Sequence, residues 1–202
     1  MTLRLHYAAW RTALWCLLAV HAHAAARRWL DRMAERFPGD VHVMLSQAHL
    51  LADAGEHPMA IAAYRAVVDR HPRLAAAWFN LAYLLEQQGD WQPARLAFEA
   101  ALECQPLLDR AWYGLGLVLI RLGQLDDAAL ALQRNTELQP LSPSGWYQLA
   151  RVQFDRQDHS AAARIIRHLK GFEPRVAAQL EREIGAAVGV TPAVPGATDN
   201  LH

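Results

Sequence analysis

AAAWFNLAYLLEQQGDWQPARLAFEAALECQPLL, residues 75–108, runs without a gap into DRAWYGLGLVLIRLGQLDDAALALQRNTELQPLS, residues 109–142. Set one above the other, Trp78 falls on Trp112, Leu81 on Leu115, Gly89 on Gly123, Ala94 on Ala128 and Pro106 on Pro140. The step is 34 residues (112 − 78), a period that marks stacked copies of one small structural unit. Inside the frame, apolar residues recur at helical spacing, pause at Gly89-Asp90 and resume. That pattern predicts one helix over 76–88 and a second over 91–105. Glycine takes the left-handed conformation that ends the first helix, and aspartate is suited to cap the second.

The same frame extends outward to five copies: 7–40, 41–74, 75–108, 109–142 and 143–176. Gly55 and Gly123 hold the place of Gly89, and Pro38, Pro72, Pro106, Pro140 and Pro174 close each copy, because proline cannot continue a helix interior. Small residues at Ala48, Ala82, Gly116 and Ala150 are expected to face small residues at Ala60, Ala94, Ala128 and Ala162, so that two helices approach closely. Trp78, Trp112 and Trp146, with Tyr64, Phe98, Leu132 and Ile166, are expected to fill the flanking layers.

The order Trp-x2-Leu-(Gly/Ala)-x2-Leu, then Ala-x3-(Phe/Leu), then Pro, resembles the tetratricopeptide repeat. The resemblance covers all five frames in register. It departs at both ends: Leu14 stands at the small position and His21 at the turn glycine of the first frame, Gln153 in an apolar slot and Gln157 at the turn glycine of the last. It implies an all-α, right-handed superhelical solenoid of helix-turn-helix repeats, five of them, in one domain over 1–189. RVAAQLEREIGAAV (175–188), with Val176, Leu180, Ile184 and Val188 four apart, is expected to be a capping helix that covers the last apolar face. Residues 190–202, without periodicity, are expected to be a disordered tail.

Composition narrows the function classes. Lys+Arg and Asp+Glu both number 20 and the formal net charge is zero. The basic excess of a nucleic-acid binder is therefore missing, and no nucleic-acid partner is expected. Cys16 and Cys104 form no ligand-spaced set and are expected to be buried, unpaired thiols. The chain carries no Gly-rich phosphate loop, no GxSxG and no HExxH. His21 with His23, and His42 with His49, bring no matching Asp, Glu or Cys set, so they are expected to be structural rather than metal ligands. No catalytic residue, cofactor or metal is assigned.

What remains is a surface. The resemblance implies that positions 2, 5, 6, 9, 12 and 13 of each frame face a concave groove that holds a peptide or protein segment. In this sequence those positions supply His42 and His49; Phe79, Asn80, Tyr83 and Glu86; Arg110, Tyr113 and Arg121; Tyr147, Gln148, Arg151 and Asp155. Aromatic and Arg side chains are the types that dominate interface energetics. The competing reading is that Phe79, Tyr113 and Tyr147 only pad the junction between neighbouring first helices. One family variant clamps chaperone tails; Asn80 and Arg110 match two of its positions, whereas Leu45, His49 and Gly114 break the others, so a chaperone-tail receptor is not expected.

The N-terminus admits two readings. RTALWCLLAVHAHAAA (11–26) has the outline of a signal peptide, but Trp10, Ala26, Leu30 and Pro38 also fall on the repeat, and a divergent first repeat is the reading adopted. Trp10, Leu14, Trp15, Leu17, Leu18 and Val20 spread around most of that helix, which points to self-association or another partner there; membrane contact stays open. The function expected is thus a non-enzymatic, cytoplasmic protein-interaction scaffold. The alternative is an exported, membrane-associated accessory factor, periplasmic if the N-terminus acts as a signal, for assembly of an envelope or secretion complex.

Overall fold

A computed structural model describes residues 2–19 and 22–187, and among them the chain forms eleven helices and no strand. In order they are α1 (Thr2–Ala19), α2 (His23–Arg36), α3 (Val41–Asp53), α4 (His57–Arg70), α5 (Ala75–Gln88), α6 (Trp91–Cys104), α7 (Asp109–Arg121), α8 (Leu125–Leu138), α9 (Pro143–Asp155), α10 (His159–Lys170) and α11 (Pro174–Ala187). They fall into two compact units that divide between Leu108 and Asp109, at the edge of a repeat frame. In the first unit α1 packs on α2, α3 on α2 and α4, and α5 on α4 and α6; in the second α7 packs on α8, α9 on α8 and α10, and α11 on α9 and α10.

Local chemistry sets the ends of each helix. Gly55, Gly89 and Gly123 all have positive φ, of 75°, 81° and 72°. Behind each turn the next N–H reaches back to close it: Glu56 to the Leu51 carbonyl, Asp90 to Leu85, Gln124 to Leu119, at 2.9, 3.0 and 2.9 Å. The last copy keeps the same turn without glycine. Gln157 takes φ 64°, and Asp158 donates to the Gln153 carbonyl at 2.9 Å.

The second helices end for a different reason. Phe37, His71, Gln105 and Gln139 each precede a proline and have φ between −142° and −129°, with ψ between 65° and 87°. The proline ring bars its predecessor from the helical region, so the chain leaves the helix there. Asp90 does stand at the N-cap of α6, but its side chain accepts no capping bond, and neither does that of Glu56 or Gln124. Asp40 and Asp158 are the aspartates that cap: Asp40 accepts from the His42 and Val43 N–H groups, Asp158 from Ala161.

Packing follows the small-residue pattern with one correction. Ala48, Ala82, Ala150, Ala60, Ala94 and Ala128 are wholly buried. At Gly116 the missing β-carbon also makes room for Leu132, since one there would lie 2.6 Å from its Cγ. The tryptophans are the correction. Trp78, Trp112 and Trp146 are half-buried rather than core, and Trp78 and Trp146 send their indole N–H to the carbonyls of Pro72 and Pro140, at 2.9 and 2.8 Å. Pro72 also accepts from the Cys104 thiol at 3.3 Å; Cys104 is half-buried and Cys16 exposed, so neither is the buried thiol expected.

The first frame is a genuine helix pair. Trp10 lies on Trp29 with ring centroids 4.7 Å apart, the Trp29 indole N–H donates to the Trp10 carbonyl, and Tyr7 donates to Asp40 at 2.8 Å. Leu14, Ala26, Leu30 and Met33 form the core between them. The side chains of Trp15, Leu17, Leu18 and Val20, on which self-association was read, lie outside the described residues, as do the turn at His21, Val188 and the 190–202 tail.

In the second unit, α8 carries a buried amide. Asn135 is 5% exposed and donates to the Asp109 carbonyl at 2.9 Å. Its carbonyl oxygen occupies the space beside Gly145, 2.2 Å from where a β-carbon would stand. We predict that Gly145→Ala destabilises the protein by about 1–3 kcal/mol through this overlap, measured by denaturant unfolding, and that adding Asn135→Ala recovers part of the loss.

Candidate functional site

The first helix of a frame is helical because its apolar residues recur three and four apart, and that same spacing divides its circumference. On α5, Leu81, Ala82, Leu84 and Leu85 are buried, while Tyr83 between them is 50% exposed. Tyr83 makes no hydrogen bond or ring contact to any described residue, so a large aromatic surface is presented without a partner among them.

Its neighbours on the expected binding face are engaged. Phe79 is half-buried, and its ring meets the buried Phe98 edge-on, 6.0 Å between centroids. Asn80 donates its amide to the Tyr64 hydroxyl at 3.1 Å. Tyr64 is 1% exposed; burial pushes its hydroxyl pKa upward while the Asn80 bond acts in the opposite direction. A hydroxyl so placed needs a partner, and Asn80 supplies it from the following repeat. Asn80 therefore ties α5 to α4, a role its frame position did not indicate.

His49, on α3, is exposed and sits 3.5 Å from Asp53 one turn on. A pair this exposed contributes little to stability. In the second unit Arg110 and Arg121 are exposed on α7 and Tyr113 is half-buried between them in sequence.

On α9, Tyr147 is engaged by the chain itself. Tyr147 donates its hydroxyl to Glu183 of α11, and the Arg151 guanidinium stands 5.9 Å from the centre of the Tyr147 ring. Gln179 donates to the other Glu183 oxygen at 2.9 Å. Tyr147, expected to receive a partner, thus bonds α11, while Arg151 is exposed beside the Tyr147 ring. Sequence reasoning missed Glu183 and Gln179. The stripe on 175–188 announced a helix, but nothing in it announced which polar residue would meet position 5 of the preceding frame. Among the described residues no group of three or more His, Cys, Asp or Glu is placed to hold a metal, and no helix is long and apolar enough to cross a membrane.

A tetratricopeptide repeat family model matches residues 45–109, 88–136 and 113–168, together more than half of the chain. Among solved structures, the chain is similar to MamA (41-end) from Desulfovibrio magneticus RS-1, at 23% identity over 86% of this chain and 94% of that one, TM-score 0.72. It is similar to YrrB, described as a TPR protein with an unusual peptide-binding site, at 21% identity over 80% and 84%, TM-score 0.70. A tetratricopeptide repeat protein from Parabacteroides merdae ATCC 43184 aligns at 17% identity over 91% and 74%, TM-score 0.78. At these identities the likeness is one of fold. No curated protein matches.

Two predictions follow from the contacts of Asn80 and Tyr147. Asn80→Ala strands the buried Tyr64 hydroxyl and is expected to cost about 1–3 kcal/mol, whereas Tyr64→Phe/Asn80→Ala, which removes both partners, returns towards wild type in the same unfolding assay. The Tyr147–Glu183 bond holds the glutamate below its usual range and the tyrosine above its own, each chiefly through that hydrogen bond. Its contribution is complete between the two ranges, fades as pH falls through the depressed Glu183 value, and fades again as pH rises through the raised Tyr147 value. The protection of α11 amides against hydrogen exchange, taken relative to the intrinsic exchange rate at each pH, should accordingly be greatest at intermediate pH, with both limbs flattened in Tyr147→Phe.

Proposed function

Because the chain belongs to the tetratricopeptide repeat family, we propose that it is a non-enzymatic interaction module whose first helices receive a segment of another protein. The protein-interaction fold is the premise; the residues and the kind of partner are our reading. Tyr83 carries it, as a half-exposed aromatic on a rigid helix with no partner among the described residues. Tyrosine presents a large contact area with few rotatable bonds, which is why it recurs at interface hot spots. In the second unit the corresponding patch is Arg110, Tyr113 and Arg121 on α7. YrrB, similar in fold, has a peptide-binding site, and that supports a peptide or an extended protein segment as the partner class.

The mechanism is preorganisation. The helix that bears Tyr83 is held by buried Leu81, Leu84 and Leu85 and by the Asn80–Tyr64 bond, so little of this surface has to be ordered when a partner arrives. Tyr147 is left out of the proposed patch, because its hydroxyl is engaged by Glu183 of α11.

Affinity capture from native extract with wild type, Tyr83→Ala and Leu96→Ala tests the reading. Leu96 is exposed on α6 and serves as the control. Partners retained by wild type and Leu96→Ala should bind Tyr83→Ala about tenfold more weakly or worse. The same partners caught equally by all three would refute the assignment.

A further inference from the structure

A cavity of about 590 Å³ opens among α2, α3 and α4. None of the residues assigned above to partner binding lines it. Its floor is apolar: Leu30 and Leu50 are buried there, with Leu51 and Ala63 half-buried. Its rim is polar, made by Arg27, Asp31, Gln47 and Asp53.

The cavity exists because an apolar plug of the repeat is missing. Position 7 of the frame is leucine in the next three copies, and Leu81, Leu115 and Leu149 are 3%, 6% and 4% exposed. In the second copy it is Gln47, whose amide reaches sideways to Asp31 Oδ1 at 3.3 Å instead of filling the seam. Arg27 lines the cavity from α2. Its guanidinium turns outward and grips both carboxylate oxygens of Glu56, at 2.7 and 3.4 Å. Both side chains thus put their polar heads at the rim and leave the space beneath unfilled.

The rim has a sign. One guanidinium, Arg27, stands against the carboxylates of Asp31, Asp53 and Glu56, and Glu56 is the one that takes it up. Asp31 accepts from a neutral amide, and Asp53 has His49 at 3.5 Å. An entering group must therefore be apolar at its tip and cationic behind it. The volume lies within the usual range of about 300–1,000 Å³ for ligand sites and is too small for a helix about 10–12 Å across.

We infer that this cavity is a second binding site, for a short cationic peptide segment: an apolar side chain enters above Leu30, Leu50 and Leu51, and an adjacent Lys or Arg meets Asp31 and Asp53. The inference does not depend on the role given to Tyr83.

Calorimetric titration of the full chain with the peptide acetyl-Gly-Leu-Arg-Gly-amide, and with Gln or Glu in place of its Arg, tests it. The Arg peptide should bind, the Gln peptide about tenfold more weakly, and the Glu peptide not measurably. Gln47→Leu restores the plug of the other repeats; it should abolish binding while raising Tm by a few degrees. Asp31→Asn/Asp53→Asn, which leaves the cavity open, should bring the Arg peptide down to the affinity of the Gln peptide. Tyr83→Ala should change nothing. No binding of the Arg peptide, equal affinity for all three peptides, binding that survives Gln47→Leu, or binding lost in Tyr83→Ala would each overturn the site.

Discussion

Every helix pair from α3 onward hangs on one residue held with positive φ. At Gly55, Gly89, Gly123 and Gln157 the chain turns left-handed, and the following N–H returns to the carbonyl five residues back. That bond satisfies a carbonyl that the helix end leaves open and sets the direction in which the second helix departs. Without the turn, Ala82 and Ala94 could not both be buried, since their burial requires α5 and α6 to run back along one another. Gln157 sharpens the point. A side chain in this region carries a strain of about 1–2 kcal/mol, yet the turn is formed there with the same bond as in the glycine copies. The packing of α9 on α10 and α11 selects the turn even where the local residue does not favour it.

Once the backbone repeats, side chains at one frame position still meet different fates. Position 5 supplies Phe79, which lies against Phe98, and Tyr147, which bonds Glu183. Position 24 is Tyr64 in one copy and Phe98 in the next; the tyrosine, buried with a hydroxyl, is served by Asn80. Polar departures from the repeat come with a compensating neighbour, as Asn135 does with Gly145, whose missing β-carbon makes room for the amide. Burial raises the cost of an unpartnered polar atom, so such exceptions arise in pairs.

Gln47, a departure from the repeat, and Arg27 beside it follow another course. Their polar heads are satisfied by Asp31 and Glu56 at the surface, so hydrogen bonding is complete while packing is not. A core position that trades volume for polarity usually loses stability. Here the lost volume is a cavity with an apolar floor, and the rim charges decide what chemistry suits it.

The sequence by itself determined the period, the existence and approximate limits of the paired helices, and the turns, because each of these depends on residues within a few positions of one another: a glycine able to go left-handed, a proline that expels its predecessor from the helix, apolar residues three and four apart. It also marked Tyr83 as a residue on the exposed side of α5. Only the tertiary structure decided which in-phase side chains were free for use. Asn80 finds its partner 16 residues earlier and Tyr147 finds its own 36 residues later, and Gln47 opens a space bounded by three helices. Those outcomes depend on distances across helices rather than along one, and a repeat period, which treats equivalent positions as equal, carries no information about them.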